Sequence, residues 1–157
     1  MISYFKSPLG WIEIEKNANQ LIALNFCEPP ISNHTLTTDV TNEVVIQLNA
    51  YFSNKTIDCK ISMAPIGTPF QQKIWKILLT IPKGKTLTYS EVAKYYGNKK
   101  SVRAVGAAIG KNPILILIPC HRVIGMDGSM VGYAGGIENK KQLLEHEGYP
   151  IQKTLNL

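Results

Sequence analysis

The sequence predicts an α+β protein in two parts. A small N-terminal α/β domain, with a short sheet and one helix, precedes a mostly helical C-terminal domain containing a helix-turn-helix. Three observations carry this expectation. "WIEIEK" and "LIALNFC" lie near the start, the first alternating with period two, whereas apolar residues recur at helical spacing after residue 68. Capping-box signatures, Thr68 with Gln71 and Thr88 with Glu91, punctuate the second half. The charge also divides: residues 1–67 hold four Lys and six Asp/Glu, and residues 68–157 hold thirteen Lys/Arg and five Asp/Glu. A net −2 is followed by a net +8, which points the second half toward a polyanion, nucleic acid above all. A lysine-rich solvated surface is the plainer alternative.

Residues 2–27 read as strands, with "NANQ" turning the chain between the two runs. Residues 40–53 place Val44, Val45, Leu48 and Phe52 on one helical face. A short strand is expected near "CKISM". Cys27, His34 and Cys59 lack the paired spacing of a zinc site and read as incidental, so no metal is expected. "APIGTP", Ala64 to Pro69, reads as a linker and divides the chain into residues 1–66 and 67–157.

A helix then opens on the Thr68 cap with Pro69 in its first turn, and buries Phe70, Ile74, Trp75, Leu78 and Ile81 before Pro82 stops it. A second helix opens on Thr88, carries Val92, Ala93 and Tyr96 inward, and ends at Gly97. Ser101 is the expected cap of a third helix reaching Gly110, with Val102, Val105, Gly106 and Ile109 packing inward. Its other surface, Arg103, Ala104, Ala107, Ala108 and Gly110, is nearly bare of side chains. A major-groove reader needs Asn, Gln or several Arg there to reach base edges, so a bare face suits insertion into the minor groove with little sequence readout. Helix–helix packing through small residues would leave the same pattern.

"LILIPCHRVIG", Leu115 to Gly125, sets a nucleophile, a base and a cation side by side after an apolar run. "ILILI" reads as a fully buried strand that fixes Cys120 at the edge of the core. A free thiol titrates near ~8.5 and needs a base or cation to react quickly, for which His121 and Arg122 are the nearest suppliers. Neighbouring side chains in an extended chain face opposite ways, so a bend or a bridging water is expected between Cys120 and His121. Glu147 follows Leu143 by four residues and Leu144 by three on the helix "IENKKQLLEHEG", which puts it on their buried side; Glu145 and His146 are expected to face solvent. A buried carboxylate needs a partner. Cys120–His121–Glu147 thus forms a candidate nucleophile–base–orienter chain, against the alternative of an inert buried cysteine.

No apolar run approaches the roughly 20 residues a membrane span needs, and the charged, alternating N-terminus does not read as a signal peptide. Three cysteines without close spacing favour a reducing compartment, with cytoplasm the expectation.

Taken together, "GTPFQQKIW", "IPKGKTLTYSEVA", "SVRAVGAAIGKNP", "LIPCHRVIG" and "GYAGGIENKKQLLEHEG" resemble the O6-alkylguanine-DNA alkyltransferase family over residues 66–149. The resemblance implies a ribonuclease H-like first domain. It also implies a self-inactivating repair protein, a monomer without a cofactor, that binds double-stranded DNA in the minor groove. O6-alkylguanine, with O4-alkylthymine as a further candidate, would be flipped out of the stack and its alkyl group taken by Cys120. His121 resembles the base acting through water, Glu147 its orienter, and Asn112 a hinge tying the recognition helix to the reactive segment. Tyr89 resembles a residue that crowds the target phosphate and supports protonation of the leaving guanine. Arg103 resembles the side chain that fills the gap left by the flipped base, and Ser90 and Asn98 correspond to phosphate contacts. Tyr133 and the Ala134 amide would line the base pocket, with the Cys120 and Val123 carbonyls accepting from the guanine amino group. Leu115 stands where many relatives have proline and Ala134 where some have serine, and the first domain lacks the family's zinc ligand set. Two rivals are a lesion-binding module without chemistry, whose members lack the cysteine, and a Cys-His hydrolase, which would leave the basic second half unexplained.

Overall fold

The computed structural model describes residues 1–31, 43–56 and 60–151. Strands β1 (Ile2–Ser7), β2 (Gly10–Asn17) and β3 (Gln20–Cys27) form an antiparallel meander. Alternation buries Ile12 and Ile14 of β2, and a register shift at Glu15/Lys16 lets Leu21 and Leu24 of β3, three residues apart, both be buried. Helix α1 (Glu43–Phe52) buries Val44, Val45 and Leu48, as its spacing predicts. Each such aliphatic side chain removed from water contributes about 1.5–3 kcal/mol. His34 and Cys59 lie outside the described residues. The strand expected near "CKISM" is absent over the described Lys60–Met63; Met63 makes a single bridge to Leu21.

The outer edge of β3 does not end in solvent. Leu21 exchanges backbone hydrogen bonds with Ser62 and Ala64, and Leu24 does so with Pro113 and Leu115, at 2.8–2.9 Å. The first domain's sheet therefore holds the backbone just before Cys120.

Helix α2 (Pro69–Leu78) carries the complete Thr68/Gln71 capping box with Pro at its start. Its Trp75 is buried and donates Nε1–H to the Ala108 carbonyl at 2.9 Å. Strand β4 (Leu87–Thr88) leads into α3 (Tyr89–Tyr96), again with both capping-box bonds. Gly97 ends α3 at φ +101°, a conformation that only glycine adopts without strain.

Helix α4 (Val102–Gly110) follows a 3-10 turn over Lys99–Ser101. The expected Ser101 side-chain cap is not formed. Asn98 caps the 3-10 turn, its Oδ1 accepting from the Lys100 amide, and the Ser101 hydroxyl donates back to the Asn98 carbonyl. Arg103, Ala104, Ala107 and Gly110 are exposed as expected, but Ala108 is buried against Trp75.

The segment 114–118 is not a strand. The Leu117 amide donates to the Leu115 carbonyl at 2.8 Å around Ile116, whose φ is +69°. The Cys120 amide donates to the Ile118 carbonyl at 2.8 Å around Pro119, at φ −81° and ψ 64°. These are two γ-turns, the first of the rare positive-φ kind. A β-branched residue at positive φ stores on the order of 1–3 kcal/mol, which the surrounding contacts must hold. Cys120–Arg122 then forms one 3-10 turn and passes into β5 (Val123–Ile124), which pairs parallel with β4. Helix α5 (Ile137–His146) closes the described chain. No helix among the described residues is long and apolar enough to cross a membrane.

Candidate active site

Asn112 explains how the coiled segment is held. Its Oδ1 accepts from the Ile114 amide at 3.0 Å and its Nδ2 donates to the Ile118 carbonyl at 2.8 Å. One buried side chain thus clamps both ends of the strained turn that leads to Cys120.

Cys120 is 4% exposed. Burial pushes its thiol up to about 11, with the Asn112 side chain and the Lys140 charge working in the opposite direction. At neutral pH the resting group is a thiol, and its proton must leave as it reacts. His121 is fully buried, and burial lowers its pKa despite the hydrogen bond to Glu147. The resting imidazole is therefore neutral. Its Nε2 lies 2.7 Å from Glu147 Oε2, while Nδ1 is buried with no hydrogen-bond partner among the described residues.

Burial also works against ionisation of Glu147. The hydrogen bonds from His121 and Arg122 outweigh it and hold the carboxyl well below the usual range. An ionised carboxylate only accepts, so Nε2 carries the hydrogen and Nδ1 presents a bare lone pair. The triad geometry from His121 to Glu147 is as the spacing suggested. The route from Cys120 to His121 has no direct hydrogen bond, in keeping with a bridging group.

Arg122 departs from the expectation that it activates the thiol. Its Nε and Nη2 fork onto Glu147 at 2.8 and 3.0 Å, and Nη1 donates to the Ile81 carbonyl at 2.7 Å. The cation that faces Cys120 is Lys140, which sequence reasoning missed. Lys140 is fully buried, donates to the Val131 carbonyl at 3.2 Å, and sits 6.0 Å from the centre of the Tyr89 ring. Burial lowers its pKa to about 8, against the pull of Cys120. Lys140 precedes Leu143 by three residues and Leu144 by four, so helical spacing places it on their buried side, but a lysine there reads as solvated.

A cleft of about 900 Å³ opens beside this chain, lined by Tyr89, Arg103, Gly106, Gly110, Tyr133 and Ala134 among others. Cys120 and Val123 do not line it; Val123 is fully buried. The Cys120 carbonyl already accepts from the Val123 amide. The Tyr89 hydroxyl donates to the Val131 carbonyl at 3.0 Å, and burial followed by the Cys120 charge raises its pKa. The same two causes raise Tyr133, whose hydroxyl is buried without a partner among the described residues and whose ring stands edge-on to His121. Both phenols stay protonated at neutral pH. A Cβ on Gly135 would stand 2.6 Å from Phe26 and 2.7 Å from the Tyr133 ring, so only glycine lets this loop close against β3.

Arg103 is exposed at the start of α4, on the cleft rim with Lys100. Asn98 is exposed with its side-chain oxygen engaged, and Ser90 is half-buried in the first turn of α3. His146 does not face solvent as expected. It is half-buried, with its ring against Tyr51 and Phe52.

The model of the 6-O-methylguanine DNA methyltransferase DNA-binding domain matches residues 69–149, and that of the family's ribonuclease-like domain matches residues 1–65. The chain belongs to this methyltransferase family. Among its relatives, the methylated-DNA–protein-cysteine methyltransferase of Mycobacterium bovis is 42% identical, covering 94% of this chain and 93% of that protein. The Mycobacterium tuberculosis OGT, solved in complex with DNA, is 41% identical with a TM-score of 0.83, covering 93% of this chain and 91% of that one. The Methanococcus jannaschii O6-methylguanine DNA methyltransferase is 30% identical at a TM-score of 0.68, covering 100% and 99%. The Cys120 thiol is buried and lies next in the chain to the neutral His121 imidazole.

Proposed function

We propose that this chain repairs O6-alkylguanine in double-stranded DNA by moving the alkyl group to its own Cys120, once and irreversibly. The observation that carries the reading is the bare, buried Nδ1 of His121, held in that tautomer by Glu147 and next in the chain to a buried thiol. The damaged base is flipped into the cleft, because the alkyl carbon inside a stacked duplex is out of reach of a protein sulfur. The Cys120 proton passes to His121 Nδ1 through a bridging water as the sulfur attacks the alkyl carbon. The S–C bond forms, the O6–C bond breaks, and the expelled guanine takes a proton that Tyr89 supplies and the imidazolium replaces. Tyr133 and Ala134 wall the base.

α3 and α4 act as the helix-turn-helix, with the bare face of α4 in the minor groove, Arg103 filling the vacated stack, and Ser90 and Asn98 on phosphates. The exposed Lys99, Lys100 and Arg103 favour a salt-sensitive contact with little sequence preference. The chain divides near residues 66/67, in keeping with family models that end at 65 and begin at 69. It works as a monomer, since one chain carries thiol, base, orienter and cleft. The free thiols of Cys27 and Cys120 suit the cytoplasm.

The test is mass spectrometry after incubation with a duplex bearing O6-methylguanine. The chain should gain one methyl group, located at Cys120, and release no further product. Unchanged mass overturns the reading, and release beyond one equivalent favours a hydrolase. Arg103→Ala should slow repair of duplex by about tenfold or more, since flipping costs a few kcal/mol, while leaving reaction with free O6-benzylguanine nearly intact. Equal loss on both substrates would rule out the stacking role.

A further inference from the structure

Among the described residues, the first domain hydrogen-bonds the His121–Glu147 pair through Tyr51. Tyr51, near the end of α1, donates its hydroxyl to Glu147 Oε2 at 2.6 Å. This is the oxygen that holds His121 Nε2 at 2.7 Å. Oε2 also takes Arg122 Nη2 at 3.0 Å, and Oε1 takes Arg122 Nε at 2.8 Å. The backbone carbonyl of Tyr51 lies 2.7 Å from Nε2 of His146, the residue before Glu147. The Tyr51 ring packs against the His146 ring at 5.1 Å and against Phe52 at 5.0 Å. The Lys83 ammonium stands 5.6 Å from its centre. One tyrosine thus grips the end of α5 at two points, by its main chain and by its hydroxyl.

The two grips do different work. The carbonyl bond and ring contacts only fasten the domains together, and a phenylalanine could keep them. The hydroxyl does more. A short hydrogen bond to an ionised oxygen draws negative charge toward the donor. It thereby weakens the pull of the same oxygen on the imidazole. Burial and the Glu147 charge both raise the Tyr51 phenol, so it remains a donor across the working range.

We infer that Tyr51 is a positioning residue, through which the N-terminal domain sets how strongly Glu147 polarises His121 and hence how basic the His121 ring is. The inference rests on the reading of His121 as the base given above. The charged or titratable groups around His121 are Glu147 and Lys140 from the end and middle of α5, Arg122 and Cys120 from its own turn, and Tyr133 from the cleft loop. Tyr51 acts on it only through Glu147.

The experiment compares Tyr51→Phe with the parent in single-turnover reaction with free O6-benzylguanine across pH, together with an NMR titration of the His121 ring. His121 must be neutral to accept the thiol proton, so the rate falls on the acid side as the ring protonates. With the Tyr51 donor gone, Glu147 pulls harder on Nε2–H and the ring becomes more basic. The acid limb and the ring titration should both move upward by about half a pH unit. The rate at neutral pH, where the ring is still neutral, should hold or rise by no more than about threefold, because a more basic imidazole takes the thiol proton more readily. His146→Leu removes the main-chain grip and the ring contacts but not the hydroxyl bond, and should leave the acid limb where it is. If Tyr51→Phe slows the reaction equally at every pH with an unmoved ring titration, Tyr51 is a tether and the inference fails. A variant indistinguishable from the parent also overturns it. A parent chain that gains no benzyl group removes the reading of the site instead, and the ring titration still reports whether Tyr51 tunes His121.

Discussion

Cys120→Ala is expected to abolish alkyl transfer while keeping the fold and the affinity for alkylated duplex. In the proposed reaction the Cys120 sulfur forms the new bond, and among the described residues no other thiol adjoins a neutral imidazole. Cys27, the other free cysteine among the described residues, sits at the end of β3 and is pushed up by burial and by Glu13 and Glu28. The charges that act on it among the described residues are those two carboxylates, which oppose its ionisation. Removing one buried sulfur leaves a small void, costing on the order of 1 kcal/mol, well within the margin of a domain this size. The measurement pairs intact-mass analysis after exposure to excess O6-methylguanine duplex with a gel-shift titration. The variant should bind and gain nothing. A methylated variant would mean that the acceptor lies elsewhere.

Glu147→Ala should have the largest effect on stability and a large one on rate. The carboxylate accepts from His121, Tyr51 and a two-pronged Arg122, and its side chain is fully buried. Removing one partner of a buried ion pair leaves the other charge uncompensated, at about 3–5 kcal/mol. The urea midpoint should fall accordingly. The rate with free O6-benzylguanine should drop about a hundredfold or more, because the imidazole loses the acceptor that fixes its tautomer.

The same groups set the acid side of the stability curve. The Glu147 pKa is depressed in the fold, so its contribution is complete above the unfolded carboxyl value of about 4.3 and is lost as pH falls below it. The His121 pKa is also lowered in the fold. The unfolded chain therefore binds a proton at His121 below about 6.5 that the folded chain resists, and stability already declines there. Urea titrations at several pH values should show two successive losses in the parent. In Glu147→Ala the component below about pH 4.3 should be missing. A variant that keeps both the parent's midpoint and its acid profile would mean that this carboxylate does not hold the site together.

Much of the fold was legible in local pattern. The strand alternation, both capping boxes and the Gly97 stop depend on neighbours within four residues, and each is where the spacing put it. Glu147 was legible for a related reason, since helical periodicity from Leu143 and Leu144 fixes its face. The failures fall where that logic ends. "ILILI" has no periodicity to separate strand from coil, and two γ-turns wind it inside the core. Ala108 and His146 were assigned to solvent by helix face alone, and Trp75 and Tyr51 cover them from distant parts of the chain.

The sequence by itself determined most of the regular elements and that Glu147 faces the core, because short-range spacing dictates face. Only the tertiary structure decided that Arg122 serves Glu147, that Lys140 is the cation near the thiol, and that Tyr51 joins the first domain to the base. Those pairings span from 20 to 96 residues. The cost of an unpaired charge in the core selects such partners, and that selection acts on proximity in space, which spacing along the chain does not encode.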